Sequence, residues 1–406
     1  MIQTTLFYND PYLFSFDAVV EKCIPQKEGY AITLSNTAFY PEGGGQPYDL
    51  GVLITGDNNV IPVTAVYEKS GGILHTVSTP VDVGTGVKGE INKDRRLALM
   101  QLHTGEHIIS GIIHRLYGFD NVGFHISQFP SCKKPDADFF CTIDTSGPLD
   151  SNMLLEVEEA ANRVIWSNLP VSTRFFTEDE AASREYRSKK ELEGTIRLVE
   201  INDVDACACC GLHTRTTGEV GIIKILDSQV YKKGNRITLT CGMSALWEYR
   251  RRSDNLLTIS RSLSAKPHEV VDAFERLEES KKALQYDIFG CEERLIDLLI
   301  ASAKDKNAEC VMFSIDNAST ELIRRLALKA CDCFKLCVAV APAEGGSRLA
   351  VASNNEDLKA ISTAINSKGG RCGGKPPIIQ GMISVEPSAV GEIFTGLGYS
   401  IYTTKI

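Results

Sequence analysis

The sequence predicts an α+β chain in four parts. These are a small N-terminal β-barrel over residues 1–90, an α/β domain able to hold a metal ion over 91–242, a long helical connector over 243–305, and a C-terminal α/β domain over 306–406. Three observations carry this reading. Short β-rich runs broken by glycine and proline fill the first ninety residues. A histidine pair on a helical stretch, His103 and His107, has a counterpart in Cys209 and His213. A heptad stripe then leads into alternating strand-like and helix-like runs.

At 406 residues the chain exceeds one ordinary core. Its 43% apolar and 23% charged residues are those of a soluble globular protein. The start, MIQTTLFYNDPYLF, has no basic segment followed by an apolar run, so no signal peptide is read. No apolar run approaches the roughly 20 residues of a membrane span. Thirteen cysteines without disulfide-framework spacing read as reduced thiols, and the expectation is a cytoplasmic protein with no membrane partner. A net charge of −9 argues against a broad nucleic-acid surface. It leaves room for basic patches at Lys93-Asp94-Arg95-Arg96, at 184–190 and at Arg250-Arg251-Arg252, each more often a solvated face than an RNA contact when taken alone.

In the first part, AVVEKCI, YAITLS, LGVLI, VIPVTAVYE and GILHTV read as barrel strands. Among them Gly43, Gly44 and Gly45, followed by Gln46, let the backbone approach a ligand or another segment closely. In the second part, Leu97, Met100, Leu102, Ile108, Ile109, Ile112, Ile113 and Leu116 recur at helical spacing. His103 and His107, four apart, therefore share one face. Two imidazoles are half of a tetrahedral zinc set. Cys209 and His213, in CACCGLHTRTTGEVG, offer the other half, and a thiolate favours zinc over the oxygen-seeking magnesium and calcium. Cys207 and Cys210 lie beside Cys209 and leave the choice of thiol open; Cys209 keeps the four-residue step to His213.

Residues 150–168 read as an amphipathic helix with Leu154, Val157, Ala161, Val164 and Ile165 on its stripe. The charged run 177–190 reads as a surface helix, and VYKKGNRITLTCG as a hairpin arm with Gly234-Asn235 at its turn. Helix is expected from Leu246, most clearly after Pro267, which suits a first helical turn. Val270, Phe274, Leu277, Lys281, Leu284, Ile288, Cys291, Leu295 and Leu298 form a heptad stripe. Its partner is a second copy of the chain, giving a homodimer through residues 268–300, or a helix of the same chain such as 245–262. In the last part CVMFSID, KLCVAVAPA and RLAVASN read as strands, STELIRRLALKACD and LKAISTAINSKG as helices, and 369–376 as a glycine-rich loop.

Thr37 to Gly51, TAFYPEGGGQPYDLG, resembles the glycine-rich motif of the editing domain of alanyl-tRNA synthetase and its free-standing AlaX relatives. INKDRRLALMQLHTGEHIIS is similar to the family segment with the HxxxH half of a zinc site, and Cys209-Cys210-Gly211-Leu212-His213 to its CxxxH half. Phe124-His125-Ile126-Ser127-Gln128 resembles a family strand whose glutamine faces the editing pocket. The motifs come in family order and cover most of residues 1–240. Glu106 stands where the family more often has a small residue, and Cys-Cys-Gly-Leu-His replaces its usual Cys-Gly-Gly-Thr-His. Gly369-Gly370-Arg371-Cys372-Gly373-Gly374-Lys375-Pro376 with Gln380-Gly381 looks like the glycine motif of the DHH-associated domain at the synthetase C-terminus, although Gln-Gly-Met departs from it.

The resemblance implies a zinc-containing editing domain and a C-terminal domain of DHH-associated type. It implies a trans-editing hydrolase that deacylates tRNA(Ala) mischarged with serine, or with glycine, using one Zn2+ per chain on His103, His107, Cys209 and His213. Thr37 and Gln128 are the residues expected to recognise the serine hydroxyl, because a site built to bond that group rejects alanine strongly. Glu106 is either a general base or a solvated helical residue. Arg371 and Lys375, with Gly373 and Gly374, are expected to contact tRNA phosphates. The barrel begins close to residue 1, so a full synthetase is not expected. Two alternatives stand: His103-Thr104-Gly105-Glu106-His107 also matches the H-x-x-E-H pattern of zinc peptidases, and the protein can be a non-catalytic tRNA binder with a structural zinc.

Overall fold

A computed structural model describes residues 4–69, 72–130, 137–188 and 194–405. The chain divides into two compact units, Met1–Thr258 and Ile259–Ile406.

In the first unit, strands β2 (Ser15–Pro25), β3 (Tyr30–Leu34), β5 (Gly51–Thr55), β6 (Val60–Lys69), β7 (Gly72–Val77) and β8 (Gly86–Ile91) close a barrel in the order β2-β3-β7-β6-β5-β8. Alternation of apolar and polar residues puts Val20, Ile32, Leu53, Val66 and Val77 inside. Two short pieces, β1 (Thr4–Thr5) and β4 (Asn36–Thr37), pair in parallel beside it.

The last barrel strand feeds helix α1 (Lys93–Tyr117). The Asn92 side chain caps it by accepting from the Arg95 amide, and Gly118 ends it in the left-handed conformation. Arg96, fully buried, donates from Nε to both carboxylate oxygens of Asp49 at 2.9 and 3.0 Å and from its terminal nitrogens to the carbonyls of Pro11 (2.7 Å) and Ala38 (2.6 Å). Asp49 also accepts from the Tyr40 amide at 2.6 Å. The start of α1 is thus bolted to both ends of the loop that carries the glycine motif.

Helix α1 lies on a four-stranded sheet ordered β14-β15-β10-β9. The sheet consists of β9 (Asn121–Gln128), β10 (Phe139–Thr145), β14 (Ile223–Tyr231) and β15 (Gly234–Cys241). Helix α2 (Ser151–Trp166), capped by Asp150, buries Val157, Ala161 and Ile165 in the same core, while Leu154 and Val164 of the expected stripe are half-buried. A small sheet of β11 (Val171–Phe176), β12 (Ile196–Ile201) and β13 (Asp205–Ala208) follows.

Several expectations are corrected here. Among the described residues of the run 177–190, only α3 (Glu178–Ala182) is helical. The Arg187 backbone instead bridges to Cys207, and residues 189 and 190 lie outside the described residues. The hairpin turns at Lys232 and Lys233, because Tyr231 pairs with Gly234. Asn235 is drawn into the sheet, where its side chain bonds the amide of Leu149 at 2.8 Å and the hydroxyl of Ser228 at 2.9 Å. The basic patches are largely neutralised from within: Arg95 and Arg96 are buried, Arg187 pairs with Asp205, and Arg251 pairs with Asp138 and Glu248.

Helix α4 (Gly242–Ser262) follows, then a 3-10 turn opened by Pro267 and helix α5 (Val270–Lys304). The C-terminal end of α5 buries Ile296, Leu299, Ile300 and Ala303 against the second unit's sheet. Farther back its heptad stripe is open, with Phe274 54%, Leu284 61% and Ile288 58% exposed.

That sheet has six strands: β16 (Cys310–Ser314), β17 (Leu336–Ala343), β18 (Gly346–Ala352), β19 (Gly370–Lys375), β20 (Ile378–Ile383) and β21 (Ile401–Lys405). Their order is β19-β20-β18-β17-β16-β21, with β16 parallel to both of its neighbours. Helix α6 (Thr320–Ala330) joins α5 in one apolar layer. Helices α7 (Leu358–Ser367) and α8 (Pro387–Gly396) contribute to the other. The glycine-rich stretch 369–376, expected as a loop, is mostly the edge strand β19, held by six consecutive pairings to β20. Cys372 turns inward, and Arg371, Gly373, Gly374 and Lys375 are exposed.

Candidate metal centre

The middle of α1 is buried on every side from Leu102 to Ile113, so its histidines are not surface residues. His103 and His107 face the segment that follows β13, where Cys209 and His213 sit. One donor atom from each of the four lies within 4.8 Å of the others. Sγ of Cys209 is 3.2 Å from Nε2 of His103, and the ring centre of His213 is 4.6 Å from that of His103 and 4.7 Å from that of His107.

Each imidazole is held through its other nitrogen. Nδ1 of His103 donates to Oε1 of Gln46 at 2.9 Å, and the same oxygen accepts from the Leu212 amide at 3.1 Å. Nδ1 of His107 bonds Oδ2 of Asp205 at 2.7 Å, and Arg187 clasps that carboxylate through Nε (2.7 Å) and Nη2 (2.9 Å). Nδ1 of His213 meets Oγ1 of Thr104 at 3.4 Å. Such contacts fix the ring and its tautomer, leaving Nε2 for a metal. Nε2 of His213 is buried and has no hydrogen-bond partner among the described residues.

Three imidazole nitrogens and one thiolate, convergent and oriented, fit zinc. Burial alone would raise the Cys209 thiol, but the three surrounding imidazoles outweigh it and hold the thiol well below its ordinary range. Cys207 differs, with burial pushing its thiol up to about 11. A second group, His107, Asp205 and Cys207, shares His107 with the first. The Asp205–His107 hydrogen bond marks it as support for the same centre.

Two glycines make the site possible. A Cβ on Gly211 would lie 1.9 Å from the His103 ring, so only glycine lets the Cys209–His213 segment lie flat on α1. A Cβ on Gly45, at φ +82°, would come within 2.6 Å of Phe124. A cavity of about 410 Å³ beside the four donors is lined by Gly44, Gly45, Glu106, Phe124, Ser188 and Cys210. Glu106 is buried, which corrects the solvated alternative. Its Oε1 accepts from the Ser110 hydroxyl at 2.8 Å and from the Asn121 side-chain amide, while Oε2 lies 3.8 Å from Nε2 of His107.

Likeness to known families and proteins bears on what kind of protein this is. Residues 8–95 match the family model "tRNA synthetases class II (A)", and residues 196–238 match "Threonyl and Alanyl tRNA synthetase second additional domain". The alanyl-tRNA editing protein AlaX-L of Pyrococcus horikoshii is 33% identical over 282 residues, covering 68% of this chain and 66% of that protein. The alanyl-tRNA editing protein Aarsd1-A of Xenopus laevis is 30% identical over 292 residues, covering 71% of this chain and 67% of that protein. The chain belongs to the alanyl-tRNA editing family. An alanine–tRNA ligase of Pyrococcus abyssi is 32% identical over 397 residues, covering 93% of this chain and 42% of that protein. The two family-model matches cover the barrel and the Cys209–His213 segment, while His103 and His107 lie in the interval between them.

Two residues assigned through the family likeness stand elsewhere. Thr37 is fully buried in the barrel, its Oγ1 2.8 Å from Nε2 of His75 and accepting from the Phe39 amide, so its hydroxyl is already used. Gln128 is exposed at the far end of β9, four residues beyond Phe124, and is not among the cavity's lining residues. Sequence reading missed Asp205, Arg187, Asn121 and His75. Of these Arg187 left a trace within the basic run 184–190, and Asp205 as an acidic residue four before Cys209. Among the described residues no helix is long and apolar enough to cross a membrane.

Proposed function

We propose that this chain is a trans-editing hydrolase that removes the wrong amino acid from tRNA(Ala), acting on Ser-tRNA(Ala) first and Gly-tRNA(Ala) second. One Zn2+ per chain would be held by His103, His107, Cys209 and His213. The observation that carries the reading is the convergence of those four donors beside a small cavity, in a chain whose relatives are named alanyl-tRNA editing proteins.

The ester between amino acid and tRNA is already labile, so positioning a water and meeting the developing oxyanion suffice. A zinc ion held by His103, His107, Cys209 and His213 would supply a positive charge at the cavity wall. Gln46, Asp205 and Thr104 hold the imidazoles in place and do not touch substrate. Glu106, anchored through Oε1 by Ser110 and Asn121 and lining the cavity, would act there as the base that takes a proton from water. Phe124 and the glycine motif narrow the space, which favours serine and glycine over larger side chains. The C-terminal unit, of DHH-associated type, would hold tRNA through Arg371 and Lys375, which share one face of the exposed edge strand β19. The open stripe of α5 would join two copies into a homodimer.

A peptidase of the H-x-x-E-H kind would take a carboxylate as third ligand; the nearness of Cys209 and His213 to His103 and His107 supports a thiolate and a third imidazole in its place. A purely structural zinc has one point in its favour, since four protein ligands make a closed set. The test is to incubate the purified protein with Ser-tRNA(Ala), Gly-tRNA(Ala), Ala-tRNA(Ala) and an unstructured peptide, with and without chelator. Chelator-sensitive release of serine, with alanine retained, is expected. Peptide cleavage without deacylation, or tRNA binding without release of any amino acid, overturns the reading.

A further inference from the structure

We infer that Tyr8 and Phe175 form a shelf on which the 3′-terminal base of the tRNA stacks; this rests on the reading above and extends it to how the charged end is seated. The Tyr8 hydroxyl donates to the Cys210 carbonyl at 3.1 Å, and Cys210 is itself a lining residue of the cavity beside the four donors. The wall of that cavity therefore continues onto the Tyr8 ring. Phe175 stands next to it, ring centres 5.8 Å apart and edge-to-face, and is 55% exposed.

Phe175 is paired directly with Arg197 across β11 and β12, so both side chains rise from the same face of that sheet. The Arg197 guanidinium lies 5.1 Å from the centre of the Tyr8 ring, and its Nη1 donates at 2.8 Å to the carbonyls of both Cys209 and Gly211. One buried cation thus ties the aromatic pair to the backbone of the metal segment. The rings are consequently held at a fixed offset from the place where the ester would be cut. A large apolar ring left open on a strand, backed by a guanidinium and joined to the cavity, suits a flat base with a π-face. A tRNA offers such a base one ribose away from the amino acid.

The experiment uses the full chain and uncharged tRNA(Ala) whose terminal adenine is replaced by 2-aminopurine, whose fluorescence falls on stacking. Ser-tRNA(Ala) turnover is measured alongside. Wild-type protein is expected to quench the terminal probe and to leave a probe two nucleotides inward bright. Phe175→Ala, at an exposed site that the fold does not need, should abolish the quench and raise KM roughly 5- to 150-fold with kcat little changed. Phe175→Trp should restore both. Tyr8→Phe, which keeps the ring, should keep the quench. Unaltered quench and KM in Phe175→Ala overturn the shelf while leaving deacylation standing. A quench that depends on Phe175 without any deacylation keeps the shelf and removes the editing reading. Neither quench nor deacylation in the wild type removes both.

Discussion

Gln46 is where the barrel reaches into the metal centre, and replacing it measures what that reach is worth. Its Oε1 accepts two hydrogen bonds, from His103 Nδ1 and from the Leu212 amide, and its Nε2 has no hydrogen-bond partner among the described residues. Gln46→Leu removes both bonds, leaves the Leu212 N–H buried without its acceptor, and frees the His103 ring to rotate. Two bonds at about 0.5–1.5 kcal/mol each, plus about 1–3 kcal/mol for the orphaned amide, sum to roughly 2–6 kcal/mol of folding stability. Loss of such a supporting contact typically weakens metal binding about 10- to 100-fold. Gln46→Glu keeps the acceptor oxygen in place and should retain most of the affinity. Zinc affinity is read by competition with a chromophoric chelator, and stability by urea unfolding of the metal-free protein. Equal zinc affinity in wild type and Gln46→Leu would refute the assignment of His103 as a ligand oriented through Gln46.

Glu106→Gln should bind zinc as the wild type does and deacylate Ser-tRNA(Ala) roughly 10²- to 10⁴-fold more slowly, measured by single-turnover release of serine. His75 is fully buried, and desolvation pushes its imidazole down to about 4 despite the Ile32 carbonyl that accepts from Nδ1. Because its folded value lies below the unfolded one, the unfolded chain takes up the extra proton first. Stability is therefore complete above pH 6.5 and falls by about 3 kcal/mol as pH drops toward 4. Urea unfolding between those pH values should show this slope, reduced in His75→Gln. Leu277→Glu with Leu284→Glu, placed on the open stripe of α5, should convert a dimer into monomers in light scattering without lowering deacylation per chain; an unchanged mass removes the α5 dimer.

The barrel was readable because its strands alternate and its turns are marked by glycine and proline, both local signals. Helix α1 was readable for the same reason, since its apolar residues keep helical spacing right through the two histidines. What misled was local evidence overruled from a distance. Glycines at 369–376 suggested a loop, yet pairing to β20 makes them an edge strand. Gly234-Asn235 looks like a turn, but Asn235 has partners in Leu149 and Ser228 that hold it in the ladder. Thr37, expected from the family likeness to face the substrate, bonds His75, which comes from a strand near the end of the barrel and which no local signal announces. Asp205 carries no local sign of its role, because only the arrival of His107 and Arg187 from other elements makes it a buried anchor.

The Arg96–Asp49 pair has a consequence for any attempt to take this protein apart. The synthetase-like match ends at residue 95, which invites a cut there to obtain the barrel as a free-standing module. Such a cut would strand a carboxylate in the barrel's interior and a guanidinium at the frayed start of α1, each deprived of the counter-charge that made its desolvation tolerable. The border drawn by kinship and the border drawn by charge neutrality do not coincide. The smallest piece that keeps both halves of the pair together runs through the joint, carrying the barrel and the histidine helix as one inheritance.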